Sequence, residues 1–181
     1  NSNNLKNKVV IITGASSGIG RALAISFFKK GAQLSLVARS EQKLANLTDS
    51  ISSQGGNAIY VVADVSNEVD CKKMIDTTIR KFGYIDILIN NAGISMRSLF
   101  NDLSLSDFIK IMNVNFYGTV YSTKYALEHI LSRKGSVIGI SSIAGHKGLP
   151  ARSAYSASKF AMAGFLESIR IENLKKDLHV L

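Results

Sequence analysis

Val9-Val10-Ile11-Ile12-Thr13-Gly14-Ala15-Ser16-Ser17-Gly18-Ile19-Gly20 is the stretch on which the reading of this chain turns. Its four leading apolar residues form a strand-length run with no polar alternation, as expected of a strand covered on both faces. A glycine-rich turn follows at once. A helical stretch then runs over 19–30 and is stopped by Gly31. Glycines let a backbone turn sharply and approach a pyrophosphate closely, and the helix N-terminus behind them offers free N–H groups and partial positive charge. The spacing is G-x-x-x-G-x-G, not the commoner G-x-G-x-x-G, so its weight comes from its place between a first strand and a first helix.

Outward from this turn the alternation repeats. Residues 34–37, 58–62, 85–89 and 136–140 read as strands, and 41–53, 68–82, 106–131 and 154–175 as helices. The pattern predicts an α/β, doubly wound fold: a parallel sheet with helices on both faces and ligands at the carboxyl ends of the strands. No fixed-period repeat or linker interrupts it, so 1–181 reads as a single domain. Asp177-Leu178-His179-Val180-Leu181 reads as the start of a sixth strand, with the C-terminal part of the fold expected to be missing from the chain.

Composition narrows the classes further. The chain has 181 residues, 46% hydrophobic and 19% charged, which excludes a disordered chain; 14 Gly and one Pro exclude collagen-like and proline-rich architectures. No apolar run is long enough for a membrane span, and the opening NSNNLKNK lacks a leader's apolar stretch, so a cytoplasmic protein is expected. A single cysteine, Cys71, excludes an intrachain disulfide and reads as a small packed residue. His129, His146 and His179 lack metal-ligand spacing, and no metal is expected. The net charge of +9 favours anionic partners, but Lys29-Lys30, Lys72-Lys73, Arg133-Lys134 and Lys175-Lys176 are scattered and not interleaved with aromatics, so nucleic acid is not expected.

Two further patterns carry chemistry. The second strand ends in Ala38-Arg39-Ser40, with no acidic side chain before Glu41. A carboxylate there would hold a ribose 2′-hydroxyl; a planar guanidinium suits a 2′-phosphate, which predicts NADP(H). Tyr155 and Lys159 stand four apart on a predicted helix and share a face. An ammonium beside a phenol favours the phenolate, which suits Tyr155 to exchange a proton with a carbonyl or alcohol oxygen. Ser141-Ser142 ends the fifth strand, Asn90-Asn91-Ala92-Gly93 ends the fourth, and Asn113 and Asn115 lie in the long helix. All fall where they can line the sheet's carboxyl edge.

In order along the chain, TGASSGIG, Arg39, Asp64-Val65, NNAG, Asn115, Ser142 and the Tyr155/Lys159 pair resemble the classical short-chain dehydrogenase/reductase family over essentially the whole length. NNAGISMRSLF and SSIAGHKGLPARSAYSASKFA are closest to reductases of the dehydrogenase/reductase member 7B type and their bacterial relatives. The resemblance implies a Rossmann fold and an NADP(H)-dependent oxidoreductase acting on a small carbonyl or alcohol. Tyr155 is then the general acid in reduction and the base in oxidation. Lys159 assists it and holds the nicotinamide ribose, Ser142, preferred over Ser141, bonds the substrate oxygen, and Asn115, preferred over Asn113, holds a water that links Lys159 to solvent. Gly14, Ser16, Ser17, Gly18, Ile19, Gly20, Arg39, Ser40, Asp64, Val65, Asn91, Ala92, Gly93, Tyr155 and Lys159 are its cofactor residues. Met96, Arg97, Leu99, Leu149 and Arg152 are candidates for the substrate pocket. A homodimer or homotetramer is expected through the long helix and the Tyr155 helix, with Phe116, Tyr117, Tyr121, Tyr125, Phe160 and Phe165 supplying apolar area. The alternative is an NADP(H)-binding redox sensor or scaffold without turnover, against which the presence of both Tyr155 and Lys159 counts.

Overall fold

The computed structural model describes residues 5–181. Residues 1–4, which begin the stretch read as lacking a leader, lie outside the described residues. Strands and helices alternate as β1 (Val9–Thr13), α1 (Gly18–Lys29), β2 (Gln33–Ala38), α2 (Glu41–Ser52), β3 (Ala58–Val62), α3 (Glu68–Phe82) and β4 (Ile87–Asn90). There follow α4 (Leu105–Met112), α5 (Gly118–Leu131), β5 (Ser136–Gly139), α6 (Ser153–Glu172) and β6 (His179–Val180). The strands make one parallel sheet in the order β3-β2-β1-β4-β5-β6. This is the doubly wound order, with the direction of winding reversing between β1 and β4.

The apolar run of β1 is explained by its two covers. Val10 and Ile12 point into a layer with Leu34, Leu36, Ala24, Leu44 and Ile51, under α1 and α2. Ile11 points the other way, into a layer with Leu88, Val137, Met74, Ile130 and Met162, under α3, α5 and α6. Alternation in space therefore leaves no polar alternation in sequence. Cys71 is fully buried in the second layer, as its packed reading requires.

The long helix expected over 106–131 is not continuous. Residues Asn113–Tyr117 form a π-helical turn between α4 and α5. Such a turn carries one more residue than an α-helical turn and swings the side chains within it out of register. Its one fully buried side chain is Asn115, which the turn directs inward. The aromatic set also divides. Tyr121, Tyr125 and Phe165 pack against the core, whereas Tyr117 and Phe160 stand exposed on α5's approach and on α6.

At the sheet's amino edge, Asp86 is 1% exposed. One carboxylate oxygen accepts Val9 N–H at 2.9 Å, and the other accepts Lys8 Nζ at 2.9 Å and Arg133 Nε at 3.3 Å. The Arg133 guanidinium also lies 4.4 Å from the centre of the Tyr84 ring. Among the described residues no helix is long and apolar enough to cross a membrane.

Candidate active site

The carboxyl ends of β1, β2, β3 and β4 open on a cavity of about 510 Å³. Its walls include Gly14, Ser16, Ser17, Gly18, Ile19, Arg39, Ser40, Asp64, Val65, Asn91, Ala92 and Gly93, all expected there, together with Lys43, Ile94 and Val114.

The turn after β1 is built for close approach. Gly14 has φ +67°, and a Cβ on it would stand 2.9 Å from Ala92 Cα. Gly20 does not line the cavity. A Cβ there would meet Gly14 O at 2.3 Å and Asn91 Nδ2 at 2.6 Å, so this glycine lets α1 press against the turn. Ser17, the residue before α1, is extended and makes no side-chain cap, and α1 has no acidic residue in its first turn. Its leading N–H groups therefore face the cavity without a carboxylate, an arrangement that suits phosphate.

Thr13 ties this turn to the segment after β4. Its hydroxyl accepts N–H bonds from Asn91 and Ala92, both at 3.0 Å, and lies 3.3 Å from Ile89 O, to which it donates. Asn91 Nδ2 donates back to Thr13 O at 2.9 Å and Gly14 O at 3.3 Å. Asn91 thus braces the glycine turn as well as lining the cavity. Thr13 carried no role in the sequence reading, because its partners lie 76 to 79 residues away.

At the opposite end of the cavity Arg39 is 66% exposed, with Nη1 4.0 Å from Asp64 Oδ2. Burial alone would raise the Asp64 pKa, but hydrogen bonds from the Ser66 hydroxyl and N–H, with the Arg39 and Lys110 charges, hold it below the usual carboxylate value. Lys43 follows Arg39 by four residues, in the first turn of α2. Its place in the first turn of the helix that follows Arg39-Ser40 was the available signal for this second cation.

Beyond Gly93 lie Lys159 and Asn115. Lys159 is 5% exposed, its Nζ donates to Ile140 O at 2.7 Å and stands 5.8 Å from the centre of the Tyr155 ring. Burial pushes its ammonium below the usual lysine pKa. A Cβ on Gly93 would lie 3.8 Å from that Nζ and 3.3 Å from Asn115 Oδ1, so Gly93, which lines the cavity, packs close to both. Asn115 is fully buried: Oδ1 accepts Ile94 N–H at 2.8 Å, and Nδ2 donates to Ile94 O at 2.9 Å and Ser158 Oγ at 3.0 Å. Ser158 Oγ donates to Tyr155 O at 2.7 Å, which joins the π-turn to the Tyr155 helix. Ser158 was missed because, between Tyr155 and Lys159, it reads as filler. Ser142 is half-buried in an extended conformation after β5, and its Oγ accepts Ala144 N–H at 3.2 Å. That leaves its own hydrogen free to donate. Ser141 Oγ would be 2.8 Å from a Cβ on Gly145, so it is turned towards that backbone.

A sequence model described as short chain dehydrogenase matches residues 8–181. An 11-beta-hydroxysteroid dehydrogenase-like protein of Arabidopsis thaliana is 46% identical over 179 residues, covering 98% of this chain and 58% of that protein. The chain thus spans little more than half the length of this curated relative. Among solved structures, an alcohol dehydrogenase from the archaeon Thermococcus sibiricus complexed with 5-hydroxy-NADP superposes with a TM-score of 0.94 at 28% identity, covering 97% of this chain and 74% of that one. A short chain dehydrogenase/reductase from Burkholderia phymatum in complex with NAD gives the same TM-score and identity, with 98% and 64% covered.

Proposed function

The chain belongs to the short chain dehydrogenase family, and from that premise we propose that it is an NADP(H)-dependent oxidoreductase interconverting a carbonyl and an alcohol. The observation that carries the reading is that Gly93, in the wall of a cavity that also holds Arg39, Ser40 and Lys43, abuts Lys159 and Asn115, with the Lys159 ammonium 5.8 Å from the centre of the Tyr155 ring. The cavity fits a dinucleotide: glycine backbone and the bare α1 N-terminus suit the pyrophosphate, Asp64 and Val65 the adenine, and Gly93 with Lys159 the nicotinamide ribose. Arg39 and Lys43, with no carboxylate in Ala38-Arg39-Ser40, favour a 2′-phosphate.

The cofactor, when bound, supplies or takes up the hydride at its nicotinamide carbon. In reduction the substrate carbon gains that hydride, and Tyr155 gives the phenolic proton to the oxygen, leaving the alcohol and the oxidised cofactor. Negative charge builds on the oxygen as this happens, and the Ser142 and Tyr155 hydroxyls stabilise it by donation. The buried Lys159 ammonium stabilises the phenolate left behind. Reprotonation through Asn115 would use its backbone carbonyl. Its side chain is committed to Ile94 and Ser158, and the carbonyl already accepts the Thr119 hydroxyl. Exposed Tyr117 and Phe160 favour pairing of copies along α5 and α6.

The test is a panel of carbonyl compounds with the full-length protein and NADPH, following loss of nicotinamide absorbance. Tyr155→Phe is expected to bind NADPH with unchanged affinity and to lose at least a hundredfold in kcat, the scale of general acid catalysis, ~10²–10⁴. Undiminished turnover in that variant would remove Tyr155 as the acid.

A further inference from the structure

The loops after β4 and β5 meet just before the Tyr155 helix and carry cations and no anions. Residues 91–101, after β4, contain Arg97; residues 140–155, after β5, contain Lys147 and Arg152. Neither stretch holds an Asp or Glu. The first carboxylates beyond them lie elsewhere or are engaged. Asp86 is buried in its own cluster at the amino edge, and Glu167, well down α6, pairs with Arg170 at 2.6 Å. Asp102 stands in the turn that leads towards α4.

Arg152 is the best placed of the three. It occupies the position before the first residue of α6, and Tyr155 is the third residue of that helix. They therefore stand three residues apart along the chain, about one helical turn. The guanidinium Nη1 donates to the Ser95 hydroxyl, and Ser98 N–H donates to Ala151 O at 3.1 Å. Arg152 therefore bridges the loop after β4 to the start of the Tyr155 helix. Ala151 holds φ +57°, an unusual backbone for a residue with a Cβ. The strain turns the chain sharply just before Arg152. Among the described residues no carboxylate pairs with Arg152, Arg97 or Lys147; the side-chain partner of Arg152 is a neutral hydroxyl. Half-buried Met96 and Leu149 and exposed Leu99 share the same loops, so the mouth combines apolar surface with unneutralised positive charge.

We propose that the substrate is an amphiphilic anion: an apolar carbonyl compound bearing a carboxylate or similar acid group that Arg152 binds one helical turn from Tyr155, with Arg97 and Lys147 adding to the field. The inference rests on the carbonyl-reductase reading and names its substrate class. A guanidinium offers a carboxylate two parallel N–H bonds, and an acid group held there fixes the distance from anchor to reacting carbonyl.

The experiment compares 4-acetylbenzoate with methyl 4-acetylbenzoate, which differ in charge at an acid group remote from the ketone. With full-length protein and NADPH, kcat/KM is expected to be at least tenfold higher for the acid. The preference should shrink as ionic strength rises from 0.02 to 0.5 M, because salt screens an exposed pair (Debye length about 10 Å at 0.1 M). Arg152→Gln is expected to cut the acid-to-ester ratio at least tenfold. Arg97→Gln, on an exposed loop position with no bond to lose, should cut it two- to threefold. Titration of each compound into protein saturated with NADP⁺ reads binding without turnover, and the acid should bind at least tenfold tighter. Equal binding and equal kcat/KM for acid and ester overturn the anionic class and leave the reductase reading standing. NADPH binding with no reduction of any carbonyl overturns the reductase reading, and this inference with it.

Discussion

Arg39 and Lys43 form a pair of cations four residues apart in the wall of the cavity, one of them loosely held by Asp64. If both face a 2′-phosphate, each contributes a charge-assisted bond of about 1.5–3 kcal/mol, or roughly ten- to a hundredfold in affinity. Arg39→Ala and Lys43→Ala should each weaken NADPH binding by at least tenfold while changing NADH binding less than threefold, as read by fluorescence titration of both cofactors. Equal losses for the two cofactors would mean that neither cation reads the phosphate. Cys71 makes the opposite case, a reactive group type rendered inert. It is fully buried, with Sγ 3.3 Å from Val65 O, and burial pushes its thiol up to about 11 from 9.0. A thiol reagent at pH 8 should therefore leave the folded protein untouched and label it only on unfolding. The neutral thiol is the form that the fold accepts. Its stabilisation is whole below pH 9 and is lost progressively as pH rises from 9 towards 11, where the unfolded chain ionises first. Stability measured by denaturant across that window should fall in the parent, and fall less in Cys71→Ala, whose lower starting stability reflects the cavity left behind.

The elements show what a linear reading reaches and where it stops. The βαβ alternation was legible because burial on two faces writes itself into sequence as short apolar runs, such as Val9 to Ile12, separated by amphipathic helices. Tyr155 and Lys159 were legible because one helix holds both. The π-turn was not, since residues 106–131 hold no proline and the lone Gly118 does not by itself mark a break. The interruption follows from a demand made by other segments: Asn115 must reach both Ile94 and Ser158. Thr13 and the Arg152–Ser95 contact were invisible for the same reason, because their partners are 57 or more residues distant. Asn115 is accordingly a joint between three elements. Asn115→Ala leaves the Ile94 N–H and C=O without their side-chain partners, at about 1–3 kcal/mol for each buried group left unsatisfied. Thermal unfolding should show a clear drop in Tm, accompanied by reduced turnover as the segment lining the cavity loosens. Asn115→Asp, which keeps the acceptor for Ile94 N–H but loses the donors, should fall between the parent and Asn115→Ala in Tm.

Across the whole molecule the two edges of the sheet divide the work. The carboxyl edge carries strained or open features: a positive-φ Ala151, an uncapped α1, a buried lysine and cations without carboxylate partners. The amino edge carries a closed ion cluster in which Asp86 takes bonds from Lys8, Val9 and Arg133 and so joins the starts of β1 and β4 to the turn before β5. Removing one member of a buried charge cluster leaves the others uncompensated and typically costs ~3–5 kcal/mol, here tempered by the partial exposure of the two cations. Asp86→Ala should therefore lower stability by a few kcal/mol in denaturant unfolding. Asp86→Asn, which still offers an acceptor to Val9 N–H, should lose less. Because the cluster lies at the far end of the strands from the cavity, NADPH affinity measured well below Tm should stay within about twofold of the parent in both variants. A loss of affinity without a loss of stability would show that the amino edge shapes the site, and the division of labour between the two edges would have to be abandoned.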